Sequence, residues 1–206
     1  MTSTSARRSK ITPEREQEFF RAVLDELREH GYDALTMERV AARASCGKST
    51  LYRQWQTKPR LVAAALRANR QGAVAAVDTG SLAGDLRETA RNAAGTSGRD
   101  TRLTQALGHA VLCDEELQSA LREALVEPEL AAYDAMIERA VERGEISADH
   151  PAAEFLPAQL MGVLRIRPLL EGRYADAEYL VRFVDTALLP ALGLAAPPPP
   201  DSRTAL

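Results

Sequence analysis

Apolar side chains recur every three to four positions along most of this chain, the period of amphipathic helices, and no stretch alternates as a half-buried strand would. Phe19, Phe20, Val23, Leu24 and Leu27 form the first stripe; Thr12 or Pro13 can start that helix and Gly31 can end it. Leu35 and Val40 sit at the two positions of a hydrophobic staple around Thr36, the predicted N-cap of a short second helix with Met37, Val40, Ala41 and Ala44 on one face. Ser45-Cys46-Gly47 breaks it. A third short helix runs from about Lys48 to Trp55 and buries Leu51 and Trp55. Thr57 caps a fourth, with Pro59 in the tolerated first turn, running through Leu61, Val62, Ala65 and Leu66 toward Ala76.

Asp78-Thr79-Gly80-Ser81 closes this segment. Leu82, Leu86 and Ala90 predict a fifth helix, ended by Gly95-Thr96-Ser97-Gly98, and Leu103, Leu107 and Val111 a sixth. Asp114 can cap a seventh carrying Leu117, Leu121 and Leu125, which Pro128 either kinks or splits before the pattern resumes at Leu130, Tyr133, Ile137 and Val141 and stops at Gly144. Pro151 opens a strongly apolar helix with Phe155, Leu156, Leu160, Val163 and Leu164. A last helix carries Tyr179, Leu180, Phe183, Val184 and Leu188 and ends at Pro190 and Gly193. The expected fold is all-α. Its parts are a disordered basic arm at 1–12, a small three-helix domain at 13–58, a larger helical domain at 59–193, and a proline-rich disordered tail at 194–206.

Composition sharpens this in one respect. The net charge of −3 is unevenly spread: residues 1–70 carry 14 Lys/Arg against 8 Asp/Glu, and residues 71–206 carry 12 against 21. A basic first segment on an acidic body suits a polyanionic partner for the N-terminal part, although a solvated helical face would look the same. Cys46 and Cys113 form no metal-ligand spacing and suit a reducing cytoplasm, and neither a metal nor a cofactor is expected. No run approaches the ~20 apolar residues of a membrane span, and the basic Met1–Lys10 stretch lacks the apolar segment of a secretory signal.

Thr36 to Trp55, TMERVAARASCGKSTLYRQW, is the informative stretch. Two short helices joined by a tight turn, sized to pack on a preceding helix, make a helix-turn-helix. The second helix of such a pair enters a DNA major groove about 12 Å wide, so its outer side must be short, polar or basic. Lys48, Ser49, Thr50, Tyr52, Arg53 and Gln54 meet that requirement, while Leu51 and Trp55, four apart, hold the helix to its scaffold. GKST at 47–50 has the end of a phosphate-binding loop, but Ala42 stands where the upstream glycine belongs and no strand precedes it, so an enzyme is not expected.

The segment resembles the TetR family of transcriptional regulators over about residues 15–66. The resemblance rests on Thr36, Val40-Ala41, the small-residue turn Ala44 to Gly47, Thr50-Leu51-Tyr52, Trp55, Lys58 and Leu61. Ser45 and Gly47 depart from the pattern: Ser45 must tolerate the turn conformation, and Gly47 caps less strongly than a serine would. The resemblance implies phosphate contacts for Thr36, Tyr52 and Lys58, and base-edge contacts for Lys48, Ser49 and Thr50. It implies either kind for Arg53 and Gln54, with Arg39 and Arg43 as weaker backbone candidates.

The resemblance also implies that the second part binds a small-molecule effector and dimerises, giving a cytoplasmic homodimeric repressor on a palindromic double-stranded operator. Phe155, Gln159, Val163, Phe183, Val184 and Leu188 are then the interface candidates, and Leu107, Tyr133, Met136, Leu160, Met161, Leu164 and Arg165 the pocket candidates. Arg165 and Arg167 interrupt an apolar helix; they either meet an anionic effector or pair with Glu171 or Asp176 at the surface. His109 is expected to be structural. The rival to this reading is an all-helical adaptor for protein partners without specific DNA binding, which leaves the polar face of the third helix unexplained. The double substitution Lys48→Ala, Tyr52→Ala is expected to abolish operator binding in a gel shift while leaving the thermal unfolding transition in place; unchanged affinity at moderate salt would contradict the assignment.

Overall fold

The computed structural model describes residues 11–69 and 77–194, with side chains throughout except at 96–106. The N-terminal arm, the extension of the fourth helix to Ala76 and nearly all of the proline-rich tail lie outside the described residues. Within them the chain is helical, with no strand, and no helix is long and apolar enough to cross a membrane. The chain forms two compact units: residues 1–69 with 105–124, and residues 70–104 with 125–206.

The first unit opens with α1, Pro13–Ala34, capped by Thr12, whose side chain accepts from the Arg15 N–H. Gly31 breaks the regular helix with φ 76°, a conformation glycine adopts without cost. Then come α2, Met37–Arg43, α3, Lys48–Trp55, and α4, Lys58–Asn69. Thr36 caps α2 through the Arg39 N–H, Leu35 and Val40 are fully buried as the staple requires, and Thr57 accepts from the Arg60 N–H. The core of these helices is Phe19, Val23, Leu27, Leu35, Val40, Leu51, Leu61 and Val62. α6, Glu115–Leu121, capped by Asp114, packs on α4 and buries Leu117.

Helix α5 runs unbroken from Leu82 to Cys113, which corrects the expected stop at Gly95–Gly98. Two glycines cost a helix interior about 2 kcal/mol, an amount that packing along a 32-residue helix outweighs. Pro128 does not split its helix, which stays helical through a wider π turn. α7, Glu127–Glu142, follows a π-helical segment at Arg122–Val126. The last helix repeats the device: α9, Ala177–Phe183, passes through a π segment at Val184–Leu188 into α10, Leu189–Ala191, which holds Pro190. Each π segment ends two residues before a proline, where the wider turn makes room for a ring that would strike the carbonyl four residues back. α8, Leu156–Glu171, carries Pro168 in its last turn.

The core of the second unit combines Leu82, Leu86, Tyr133, Met136, Leu156, Leu160, Leu180, Val184 and Leu188. Around it sits a buried polar cluster at the start of α5. Asp85 is fully buried and accepts from the Thr79 N–H at 2.6 Å and the Thr79 hydroxyl at 2.8 Å. Arg139 and Arg143 approach its other oxygen at 3.6 and 3.8 Å, and Arg139 also donates to the Val77 carbonyl at 2.9 Å. A Cβ at Gly84 would collide with the Thr79 hydroxyl, so this turn closes only over glycine. Asp85→Ala leaves the Thr79 N–H and hydroxyl without their acceptor and takes one carboxylate from Arg139 and Arg143, which keep Val77, Asp78 and Glu145, and is expected to destabilise the protein by about 2 kcal/mol. Arg87→Ala, which breaks the more exposed 2.7 Å pair with Asp185, is expected to cost under about 1 kcal/mol. Denaturant unfolding of the two variants checks the order, and equal losses would contradict it.

Candidate nucleic-acid interface

Orientation of α3 follows from two of its side chains. Leu51 is fully buried and Trp55 nearly so, its ring meeting Phe19 and Phe20 of α1 edge-on at centroid separations of 5.8 and 5.7 Å. With those positions turned inward, Lys48, Ser49, Tyr52, Arg53 and Gln54 are exposed, and Thr50 is half-buried. Tyr52 is 45% exposed, which is unusual for an aromatic side chain in a packed helical head and leaves its hydroxyl available to a partner.

The turn between α2 and α3 places Ser45 at φ 49°, the left-handed conformation the sequence requires it to tolerate. Gly47 caps α3 without a side-chain hydrogen bond. Arg15, an α1 residue that the sequence does not single out, compensates from outside. Its guanidinium donates to the Ala44 and Ser45 carbonyls at 2.6 and 3.2 Å, lies 4.8 Å from the Phe19 ring centroid, and pairs with Glu18. A second clamp centres on Glu26, 5% exposed on α1. It accepts from Arg39 Nε at 2.7 Å and pairs with Arg43 Nε at 3.3 Å, and Arg43 also reaches Glu29 at 2.5 Å. The Arg43 pair holds the Glu29 carboxyl below its ordinary range and raises the guanidinium in turn. Arg39 and Arg43 are thus committed to fixing α2 on α1. The same two arginines occupy the carboxylates of the Glu26, Glu29 and His30 group, whose spacing alone would suit a metal ion.

Two basic candidates are also engaged within the head. Lys48 pairs with Glu38 of α2 at 3.0 Å, an interaction that holds the Glu38 carboxyl below its usual range. Lys58 is half-buried; its ammonium donates to the Tyr32 carbonyl at 3.3 Å and lies 3.9 Å from the Tyr32 ring centroid. Thr36 spends its side-chain oxygen as an acceptor on the helix cap.

In the second unit the candidates separate. Tyr133, Met136 and Leu160 are core, Met161 and Leu164 are half-buried, and Leu107 is buried in the first unit, so the seven pocket candidates do not form one lining within either unit. Arg165 is exposed and donates to the Met161 carbonyl. Arg167 pairs with both Glu171 and Asp176, at 3.1 and 3.6 Å, but not at the surface as expected. It is 2% exposed, stacked 3.4 Å from the Tyr179 ring centroid and bonded to the Tyr174 carbonyl.

Of the interface candidates, Val184 and Leu188 are corrected: both are fully buried in their own unit, where they fill the core beside Leu180, and have no surface to offer. Gln159, Val163 and Phe183 are half-buried and Phe155 is 53% exposed. Missed by the sequence reading were Ile166, Leu169 and Leu170, exposed at 45, 78 and 73%. Together with Phe155, Gln159 and Val163 they continue one helical stripe down α8; the spacing is visible in the sequence, but Arg165, Arg167 and Pro168 interrupt it.

Comparison with known proteins agrees with this geometry. Residues 20–65 match the family model for bacterial regulatory proteins of the tetR family, and residues 76–187 match that of the tetracyclin repressor-like C-terminal domain. An uncharacterized HTH-type transcriptional regulator of Mycobacterium tuberculosis is 32% identical over 178 residues, covering 86% of this chain and 88% of the relative. The DNA-binding transcriptional repressor TetR of Mycobacteroides abscessus is 37% identical over 174 residues, covering 77% and 84%. Among solved structures, a TetR family transcription regulator superposes with a TM-score of 0.63 at 28% identity, covering 86% of this chain and 98% of its own.

The Glu38–Lys48 pair yields a direct prediction. Glu38→Gln releases the Lys48 ammonium and removes a negative charge beside α3, so duplex binding is expected to tighten at low salt. The difference should close as salt screens both charges. Fluorescence-anisotropy titrations over a salt series check this; equal or weaker binding by the variant at low salt would contradict it.

Proposed function

This chain belongs to the TetR family of bacterial transcriptional regulators, a non-enzymatic class, and on that premise we propose that it is a cytoplasmic repressor. In this reading it binds a palindromic operator as a homodimer and is released by a small-molecule effector. The observation that carries the reading is the outward polar face of α3 above the buried Leu51 and Trp55. Lys48, Ser49 and Thr50 lead that helix into the major groove and address base edges, and Arg53 and Gln54 lie beside them. Tyr52, Thr36 and Lys58 contact phosphates, Lys58 with the help of the positive end of α4.

The dimer reading is supported by α8. Four large apolar side chains, Phe155 at the N-cap of α8 and Ile166, Leu169 and Leu170 along it, stand exposed, more than a lone surface would keep in water, and a second copy related by a two-fold axis would cover them. Two recognition helices about one DNA turn apart would then match a palindrome. Effector release is read as a population shift: a ligand that prefers the conformation whose recognition helices no longer fit successive grooves weakens operator binding by its differential affinity.

A gel shift against the DNA upstream of the protein's own gene, with unlabelled competitor, tests the function. A competitor-resistant shift supports it, and binding that salt erases together with that to unrelated DNA counts against it. For the dimer, Leu169→Asp with Leu170→Asp is expected to shift sedimentation from dimer to monomer, without loss of helical signal, and to weaken operator binding at least ~10-fold. A variant that stays dimeric would place the interface elsewhere.

A further inference from the structure

Lys58 is not the only unusual feature of its surroundings. Tyr32, 4% exposed, sits in the turn after Gly31 and meets three partners at once through its main chain and its side chain. Its carbonyl accepts from the Leu35 N–H at 3.1 Å and from the Lys58 ammonium at 3.3 Å. Its ring lies under that ammonium at 3.9 Å. Its hydroxyl donates to Asp114 Oδ2 at 3.0 Å, 82 residues away in sequence. Asp114 also caps α6, its other oxygen accepting from the Leu117 N–H at 2.9 Å. One buried phenol therefore joins the corner between α5 and α6 to the first residue of α4, and all of these groups lie in the same compact unit.

We propose that Tyr32 is a positioning residue for Lys58, holding its ammonium in place for a DNA phosphate, and that the hydrogen bond to Asp114 makes this placement depend on the α5–α6 corner. The proposal rests on the reading of Lys58 as a phosphate contact. A lysine side chain carries large rotamer entropy, most of which a free surface lysine would lose on meeting DNA. Here the ring and carbonyl remove that freedom beforehand and use one of three ammonium donors, so binding meets a preset cation. Displacement of the corner withdraws Asp114 from the phenol, loosens the ring and releases the lysine. Burial and the adjacent carboxylate both push the phenol above its ordinary range, so Tyr32 remains a donor across the physiological range, and the Leu117 cap holds Asp114 as the acceptor.

The chain has three lysines, Lys10, Lys48 and Lys58, so lysine-selective carbon-13 labelling gives few enough signals to follow each one in the full-length protein. The Lys58 ε-methylene protons are expected upfield of the other two because the ammonium they adjoin lies over the Tyr32 ring. Tyr32→Phe, which keeps the ring, the carbonyl and the α6 cap and deletes only the hydroxyl, is expected to move them partway back. Tyr32→Leu is expected to abolish the displacement. Asp114→Asn, which preserves capping, should act in the direction of Tyr32→Phe. A Lys58 signal unmoved by Tyr32→Phe, with that variant folded as judged by its thermal transition, would overturn the link to the corner.

The second readout is binding to a mixed-sequence 30-base-pair duplex over a salt series. Lys58→Ala is expected to reduce the salt slope by about two per bound dimer, about one for each protomer's lost phosphate contact. Tyr32→Leu is expected to weaken binding about threefold with Lys58 present and to have no further effect in the Lys58→Ala background. Equal losses in both backgrounds would make Tyr32 merely structural. If Lys58→Ala changes neither affinity nor slope while the resonance behaves as described, Tyr32 still positions Lys58 and it is the phosphate assignment that fails.

Discussion

Leu51 and Trp55 determine which way α3 faces, and the rest of the head is arranged around them. Burying an indole against Phe19 and Phe20 removes well over 100 Å² of apolar surface from water, worth a few kcal/mol, and fixes the rotation of an eight-residue helix that could not hold its shape alone. Once those two positions point inward, helical geometry leaves Lys48, Ser49, Tyr52, Arg53 and Gln54 outside. Arg15 and Glu26 complete the frame. One satisfies the carbonyls of a turn whose Ser45 occupies the left-handed region, and the other sets α2 on α1 through two arginines. The outward face of α3 is thus supported by charged groups that hold the head together from within.

Much of this was legible in the sequence because it is local. The caps at Thr12, Thr36, Thr57 and Asp114, the staple of Leu35 and Val40, and the inward pair on α3 all follow from spacings of a few residues. What stayed hidden depends on distance along the chain. Arg15 meets the turn 29 and 30 residues on, Arg39 meets Glu26 13 residues back, and Tyr32 meets Asp114 across 82. No periodicity encodes such partners. The unbroken α5 has a different cause: glycine weakens a helix by an amount that tertiary packing readily exceeds, so Gly95 and Gly98 misled a local reading.

The second unit shows the limit of hydrophobic pattern as a guide to interfaces. Val184 and Leu188 look no different in sequence from Ile166 and Leu169, yet the first pair is fully buried within its own unit and the second stands in solvent. Arg167 inverts the rule in the other direction: a charged residue buried because a tyrosine ring, two carboxylates and a backbone carbonyl converge on its guanidinium. Only the fold distinguishes a core stripe from an exposed one.

In the proposed function the outward face of α3, duplicated by a two-fold axis, reads DNA sequence. Selection of bound fragments from a random duplex pool at about 0.15 M salt tests it most directly, since no operator need be known in advance. A symmetric motif whose half-sites lie roughly one helical turn apart is expected to be enriched, with enrichment lost in the Lys48→Ala, Tyr52→Ala protein. Recovery of no motif, or of the same motif by that double variant, would contradict it.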